Sequence, residues 1–137
     1  VLVIIQGPHD YVSSSWYAPG DDIPTWNHVT AHLYGTPQIL SADENFSVLA
    51  GLTDHFEQHF PGGRSILTDE ALSRRIAKGT VGIRIPIGRF DARAKLSQNR
   101  KGEVAERIIN AFEPGGATPN PALADEMRRV HGSGDSL

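Results

Sequence analysis

Between Thr25 and Leu40 the side chains alternate in character. Val29, Ala31 and Leu33 are apolar, while Trp26, His28, Thr30, His32 and Tyr34 occupy the intervening positions. A period of two is the signature of a β-strand with one face on a core and the other free for binding or an interface. The same reading predicts a strand at Val1 to Ile5, broken by Gly7-Pro8, and a second short strand from Tyr11 to Trp16. Later, Val81, Ile83, Ile85 and Ile87 share one parity, and Phe90, Ala92, Ala94 and Leu96 the other. The change at Gly88 predicts a β-bulge or sharp bend there.

Helices fall between and after these strands. Ser41-Ala42-Asp43-Glu44 has the pattern of a capping box, and Phe46, Leu49, Thr53, Phe56 and Phe60 form a stripe that ends at Pro61-Gly62-Gly63. A shorter helix is predicted from about Thr68 to Lys78, with Gly79 as its stop. Val104, Ile108, Ile109 and Phe112 mark a third helix. Asn120-Pro121 supplies an N-cap and a first-turn proline for a small tail helix over Ala122 to Val130, with His131 to Leu137 expected to fray. These elements predict an α+β chain, mainly β, with a helical insertion at about 41–78. Residues 1–113 form its main body, and 114–137 a linker and tail helix.

The 137 residues, 39% hydrophobic and 21% charged, suffice for one domain with a core. Without cysteine the chain has no disulfide, thiolate metal site or cysteine nucleophile, and a reducing cytoplasm is the expected compartment. The apolar run at Val1 to Ile5 is far too short to span a membrane, and no basic segment precedes it. A net charge of −3 argues against a broad DNA-binding surface, and no helix-turn-helix signature is present. The charge is nevertheless segregated. Residues 1–63 hold seven acids and no Lys or Arg, whereas residues 64–101 hold ten basic residues against three acidic ones. That basic stretch is either a solvated face paired with acids elsewhere or a local site for an anionic ligand such as phosphate.

Several chemistries are excluded by spacing. His55 and His59 stand one helical turn apart, but Phe56 occupies the place where a zinc protease needs Glu. His28 and His32, four residues apart on a strand, are separated by about 13 Å and cannot share one ion. Ser13-Ser14-Ser15 lies in no nucleophile elbow, and no Gly-rich dinucleotide or Walker loop occurs. Three segments stand out instead: His9 to Tyr17, Ile23 to Val29 and Lys95 to Arg100. Aromatics there neighbour hydroxyls and amides, and cations neighbour polar side chains.

In order and spacing these segments resemble the hallmark stretches of the PaiB-type FMN-binding negative transcriptional regulators. That family shows Gly-Pro-His-x-Tyr-Ile/Val-Ser-Pro-x-Trp-Tyr, then Val-Pro-Thr-Trp-Asn-Tyr, then Lys-Leu-Ser-Gln-Asn. Here Ser14 replaces the usual Pro, Ile23 and His28 replace Val and Tyr, and Lys95 to Asn99 match throughout. The resemblance covers residues 1 to about 112. It implies a split β-barrel, a homodimer binding FMN at the subunit interface, and a role in repression. It also implies that the family's N-terminal part is lacking, leaving the barrel incomplete in this chain, so that another chain or segment is expected to complete the sheet.

Carried onto this sequence, the resemblance makes Lys95 and Arg100 phosphate-side candidates. Asn27, Ser97, Gln98 and Asn99, with Ser13 and Ser15, become hydrogen-bonding candidates, and Trp16 and Trp26 ring-contact candidates. No catalytic or metal-binding residue is assigned. Split-barrel relatives also include flavin-dependent reductases and oxidases, and related barrels bind haem. An oxidoreductase or haem-binding protein is therefore the alternative the resemblance leaves open.

Overall fold

The chain folds as two units, seen in a computed structural model that describes residues 1–100 and 102–132. The sheet unit comprises residues 2–34 and 89 onward, and the helical unit residue 1 and residues 35–88. The sheet unit is built on three strands in the order β1 (Leu2–Val12), β2 (Thr25–Gly35) and β5 (Ile87–Lys95), with β2 central. β1 and β2 run antiparallel, from Leu2 opposite Tyr34 to Val12 opposite Thr25. The described residues form this open sheet and a two-stranded one, with no closed barrel.

Gly7-Pro8 does not end the first strand, as the sequence predicted. The register shifts between Gln6 and His9, so the dipeptide forms a bulge that carries one extra residue on β1. Proline is tolerated there because a bulged residue need not donate to the ladder. Gly7 lies so close to Val29 that an added Cβ would sit 3.2 Å from its side chain. The extra residue switches the parity of β1. Leu2, Ile4, Gln6, His9 and Tyr11 therefore all lie opposite even-numbered residues of β2, on one face. β1 then runs on to Val12, and Ser14–Trp16 is a 3-10 turn where a second strand was expected.

The other face carries the core. α3 (Glu103–Phe112) and α4 (Pro121–Gly132) pack Ile108, Ile109, Phe112, Leu123, Ala124 and Met127 against Val12, Tyr17 and Leu96. The tail helix thus forms a wall of the core of the sheet unit. Asn120 caps it, its side chain accepting the Leu123 N–H at 3.3 Å. The same amide donates to the His9 carbonyl and to Asp10, each at 3.2 Å, which ties the helix to β1. α4 continues through His131 to Gly132, and the rest of the segment expected to fray, 133–137, lies outside the described residues.

The helical unit contains β3 (Gln38–Ile39), α1 (Ala42–Glu57), a 3-10 turn at Ile66–Asp69, α2 (Glu70–Ala77) and β4 (Ile83–Arg84), with β3 and β4 antiparallel. Two strands read as continuous are in fact divided. Thr36-Pro37 separates β2 from β3, and Ile85-Pro86 separates β4 from β5, because proline removes a ladder donor. The break falls at Pro86, not at the parity change near Gly88. Phe46 and Ala50 are buried on α1 and Leu49 and Thr53 half-buried, while Phe56 and Phe60 are exposed, so only the first half of the predicted stripe packs. No helix among the described residues is long and apolar enough to cross a membrane.

The capping box forms in full: Ser41 Oγ accepts the Glu44 N–H at 3.3 Å, and Glu44 accepts the Ser41 N–H at 3.0 Å. The Ser41 backbone bond, then its hydroxyl and then Arg84, hold the Glu44 carboxyl below the usual carboxylate range. Because the folded-state value is depressed, this contribution is full above the ordinary carboxylate pKa and lost as pH falls through the lowered one. A carboxyl-carbon NMR titration should give Glu44 a lower midpoint than in the Ser41→Ala variant. Leu123 is fully buried, and Leu123→Ala should cost about 2–5 kcal/mol in urea denaturation, as a core position does and a peripheral tail does not.

Candidate functional site

The candidate site forms where β5 ends. Leu96 is fully buried and pulls the chain toward the core, and His131 Nε2 donates to its carbonyl at 3.1 Å. Ser97 follows in the left-handed region, with φ of 59°, a conformation uncommon for a residue with a side chain. Two contacts hold it there. Its hydroxyl donates to Asn27 Oδ1 at 3.0 Å, and its carbonyl accepts the Arg100 N–H at 2.8 Å. Asn27 is itself fully buried on β2 and donates its amide to Met127 Sδ of α4 at 3.4 Å. Gln98 braces the same turn, accepting the Leu96 N–H at 2.8 Å and donating to the Ala94 carbonyl at 2.6 Å.

Beside this turn lies a cavity of about 360 Å³ bounded by the 21–25 segment and by Lys95 and residues 97–100. Lys95 Nζ donates to Thr25 Oγ1, and among the described residues no carboxylate lies within ion-pair distance of it. Arg100 differs. Its guanidinium is engaged by both oxygens of Asp21 and lies 4.2 Å from the centre of the Tyr17 ring. Its charge is already matched, so Lys95 is the cation with capacity for an added anion. Among the described residues the Tyr17 hydroxyl is buried without a partner, an arrangement that costs free energy until a donor or acceptor reaches it. This donor set fits the phosphate and polyol end of a nucleotide-like cofactor. Among the described residues, no aromatic ring lines the cavity to cover a flavin ring.

The cavity therefore gathers Lys95, Ser97, Gln98, Asn99 and Arg100 and borders on Asn27, while the other named residues lie elsewhere. Trp16 packs edge-on against Phe112 at 5.5 Å, beside the core. Trp26, next to Asn27 on β2, points to the opposite face, where its indole N–H donates to His9 Nδ1 at 3.2 Å and the two rings stack. Ser13 accepts the Ser15 N–H and caps the 3-10 turn. Thr25, Asp21 and Tyr17 were not singled out from sequence. Thr25 stood inside the Pro-Thr-Trp-Asn stretch and was legible there, whereas Asp21 meets Arg100 across 79 residues and left no local signal.

A second cavity, about 440 Å³, lies in the helical unit. Two of its polar groups are already engaged: Asn45 donates to Thr80 Oγ1 at 2.9 Å, and Arg74 bonds Asp43 and Glu70 over the Phe46 ring. The His55 ring at the end of α1 and the His59 ring in the turn after it stand 5.8 Å apart. Among the described residues, no group of three or more His, Asp or Glu is arranged to hold a metal ion.

The family model described as "Putative FMN-binding domain" matches residues 1–89, and the chain belongs to this family of FMN-binding domains of PaiB type. A relative from Bacillus subtilis (strain 168), "Protease synthase and sporulation protein PAI 2", is 33% identical over 136 residues, covering 94% of this chain and 64% of its own length. "Uncharacterized protein YKL070W" of Saccharomyces cerevisiae is 32% identical over 71 residues, 47% of this chain and 42% of that protein. "Uncharacterized protein AN0679" of Emericella nidulans is 28% identical, covering 93% of this chain and 58% of that protein. The chain thus spans less than two thirds of the length of these relatives.

The Asn27 amide is the strut behind the cavity. Asn27→Ala, which leaves the buried Ser97 hydroxyl without an acceptor, should destabilise the chain by about 1–3 kcal/mol in denaturant unfolding.

Proposed function

We propose that this chain is part of an FMN-binding negative regulator of transcription of PaiB type, acting in the cytoplasm as a homodimer. In this reading a split β-barrel is completed across the subunits and the flavin lies at their interface. The observation that carries the reading is the coincidence of an FMN-binding family match with a cavity in which Lys95, free of any carboxylate among the described residues, meets Thr25. Lys95 and Thr25 take phosphate oxygens, and the exposed Asn99 bonds the ribityl chain or the polar edge of the ring. Arg100 contributes a second cation where an incoming phosphate displaces Asp21. Asn27, Ser97 and Gln98 hold the turn in shape, Trp16, Ser13 and Ser15 hold the preceding segment, and Trp26 offers ring surface from the exposed face.

Homodimerisation is supported by what the sheet unit leaves uncovered. Among the described residues no strand pairs with the outer edge of β1 or β5, and Leu2, Ile4, Ile5 and Phe90 are all about half exposed or more. The acidic net charge favours regulation through a protein partner over direct contact with DNA.

Fluorescence titration with FMN tests the reading. Binding should weaken about tenfold or more in Lys95→Ala, the effect of losing one charge-assisted hydrogen bond, and the FMN-loaded protein should not consume NAD(P)H. Equal FMN affinity in the two proteins removes the cavity from the flavin site.

A further inference from the structure

The exposed face of the β1–β2–β5 sheet is unlike a merely solvated one. His28, Thr30 and His32 follow one another along β2, and Asp91 and Arg93 stand beside them on β5, around a cavity of about 330 Å³. This cavity shares no lining residue with the one at Lys95, and Trp26 and His28 alternate with Thr25 and Asn27 across the sheet. We propose that it is a second binding site, for a small organic anion held by its phosphate or carboxylate oxygens.

Charge accounting sets the sign. The carboxylate in the lining, Asp91, is taken by Arg89 at 2.6 Å, and the Arg89 guanidinium in turn lies 3.7 Å from the centre of the Tyr34 ring. Arg93 has no carboxylate partner among the described residues, so its five N–H donors are unspent. His28 Nδ1 and Thr30 Oγ1 are 3.1 Å apart. If the hydroxyl donates, the proton of the neutral ring sits on Nε2 and is free to bind an acceptor. If the ring donates, the hydroxyl proton is the free one. Either tautomer leaves this pair with a donor to spare, and His32 has no hydrogen-bond partner among the described residues. Donors without acceptors, next to an unmatched guanidinium, select an oxyanion.

Size and spacing set the class. The two imidazoles are about 13 Å apart along the strand, too far for one inorganic ion to touch both. The cavity volume lies at the lower end of the range for small-molecule sites, about 300–1,000 Å³. An organic body carrying one anionic group, bound at Arg93 and reaching along Thr30 toward the histidines, satisfies both limits.

Long-range ¹H–¹⁵N NMR of the full chain labelled on its six histidines tests this. The probes are inorganic phosphate, acetate, phenyl phosphate and benzoate. His28 and His32 should shift saturably while His55, His59 and His131 stay in place, and each aromatic anion should bind more tightly than its bare counterpart. The tighter of phenyl phosphate and benzoate identifies the preferred oxyanion. Arg93→Gln should weaken binding about tenfold or more, and Lys95→Ala should leave it unchanged. His32→Gln, compared by thermal melting for intact folding, provides a second variant with the same expected direction. Equal shifts at all six histidines, or unchanged affinity in both Arg93→Gln and His32→Gln, overturn the site. Binding lost only in Lys95→Ala also overturns it, by moving the anion to the other cavity, and leaves the FMN reading standing.

Discussion

A single buried amide holds the sheet unit in register. Asn27 is wholly removed from solvent on the central strand, where an unbonded amide would be costly, and it is satisfied by a hydroxyl of the turn after β5 and a thioether of α4. Three elements distant in sequence are thereby required to meet at one point. The left-handed backbone at Ser97 follows from that requirement, since the serine hydroxyl reaches Asn27 Oδ1 from there. The positions of Lys95 and Arg100 follow in turn, because they flank a turn that Gln98 and Asn27 have locked. The site's cations owe their placement to uncharged groups beneath them.

β2 serves two chemistries with one backbone. Its odd positions supply Asn27 and Val29 to the core, and its even positions present Trp26, His28, Thr30 and His32 outward. The bulge at Gly7-Pro8 extends that division to β1. Without the extra residue, His9 and Tyr11 would face the helices, and the stacked His9–Trp26 pair could not form. A locally awkward dipeptide is what keeps aromatic and imidazole groups together on the outer side.

Patterns confined to neighbouring residues were legible in the sequence. The alternation on β2, the Ser41–Glu44 capping box and the Asn120-Pro121 helix start all depend on contacts within one or two turns of chain. What was misread depends on partners far away. Gly7-Pro8 reads as a break until the opposite strand is known to absorb an extra residue. The packing of Trp16 against Phe112 also leaves no local signal, because 96 residues separate the two. The Phe56 and Phe60 end of the α1 stripe has the right period, yet periodicity alone does not say which apolar positions receive a packing partner. At the candidate site, the matching Lys95-to-Asn99 stretch located the turn. The neutralisation of Arg100 by Asp21 was invisible because 79 residues separate them.

The prolines that interrupt the strands also define a doorway. The chain leaves β2 at Gly35, and an added Cβ there would lie 2.2 Å from the carbonyl oxygen of Pro86, just before β5 begins. Departure and return thus lie side by side at Gly35 and Pro86. The penalty for closing such a loop grows only slowly with its size. The chain between β2 and β5 can therefore change in length at only a small added cost in closure entropy.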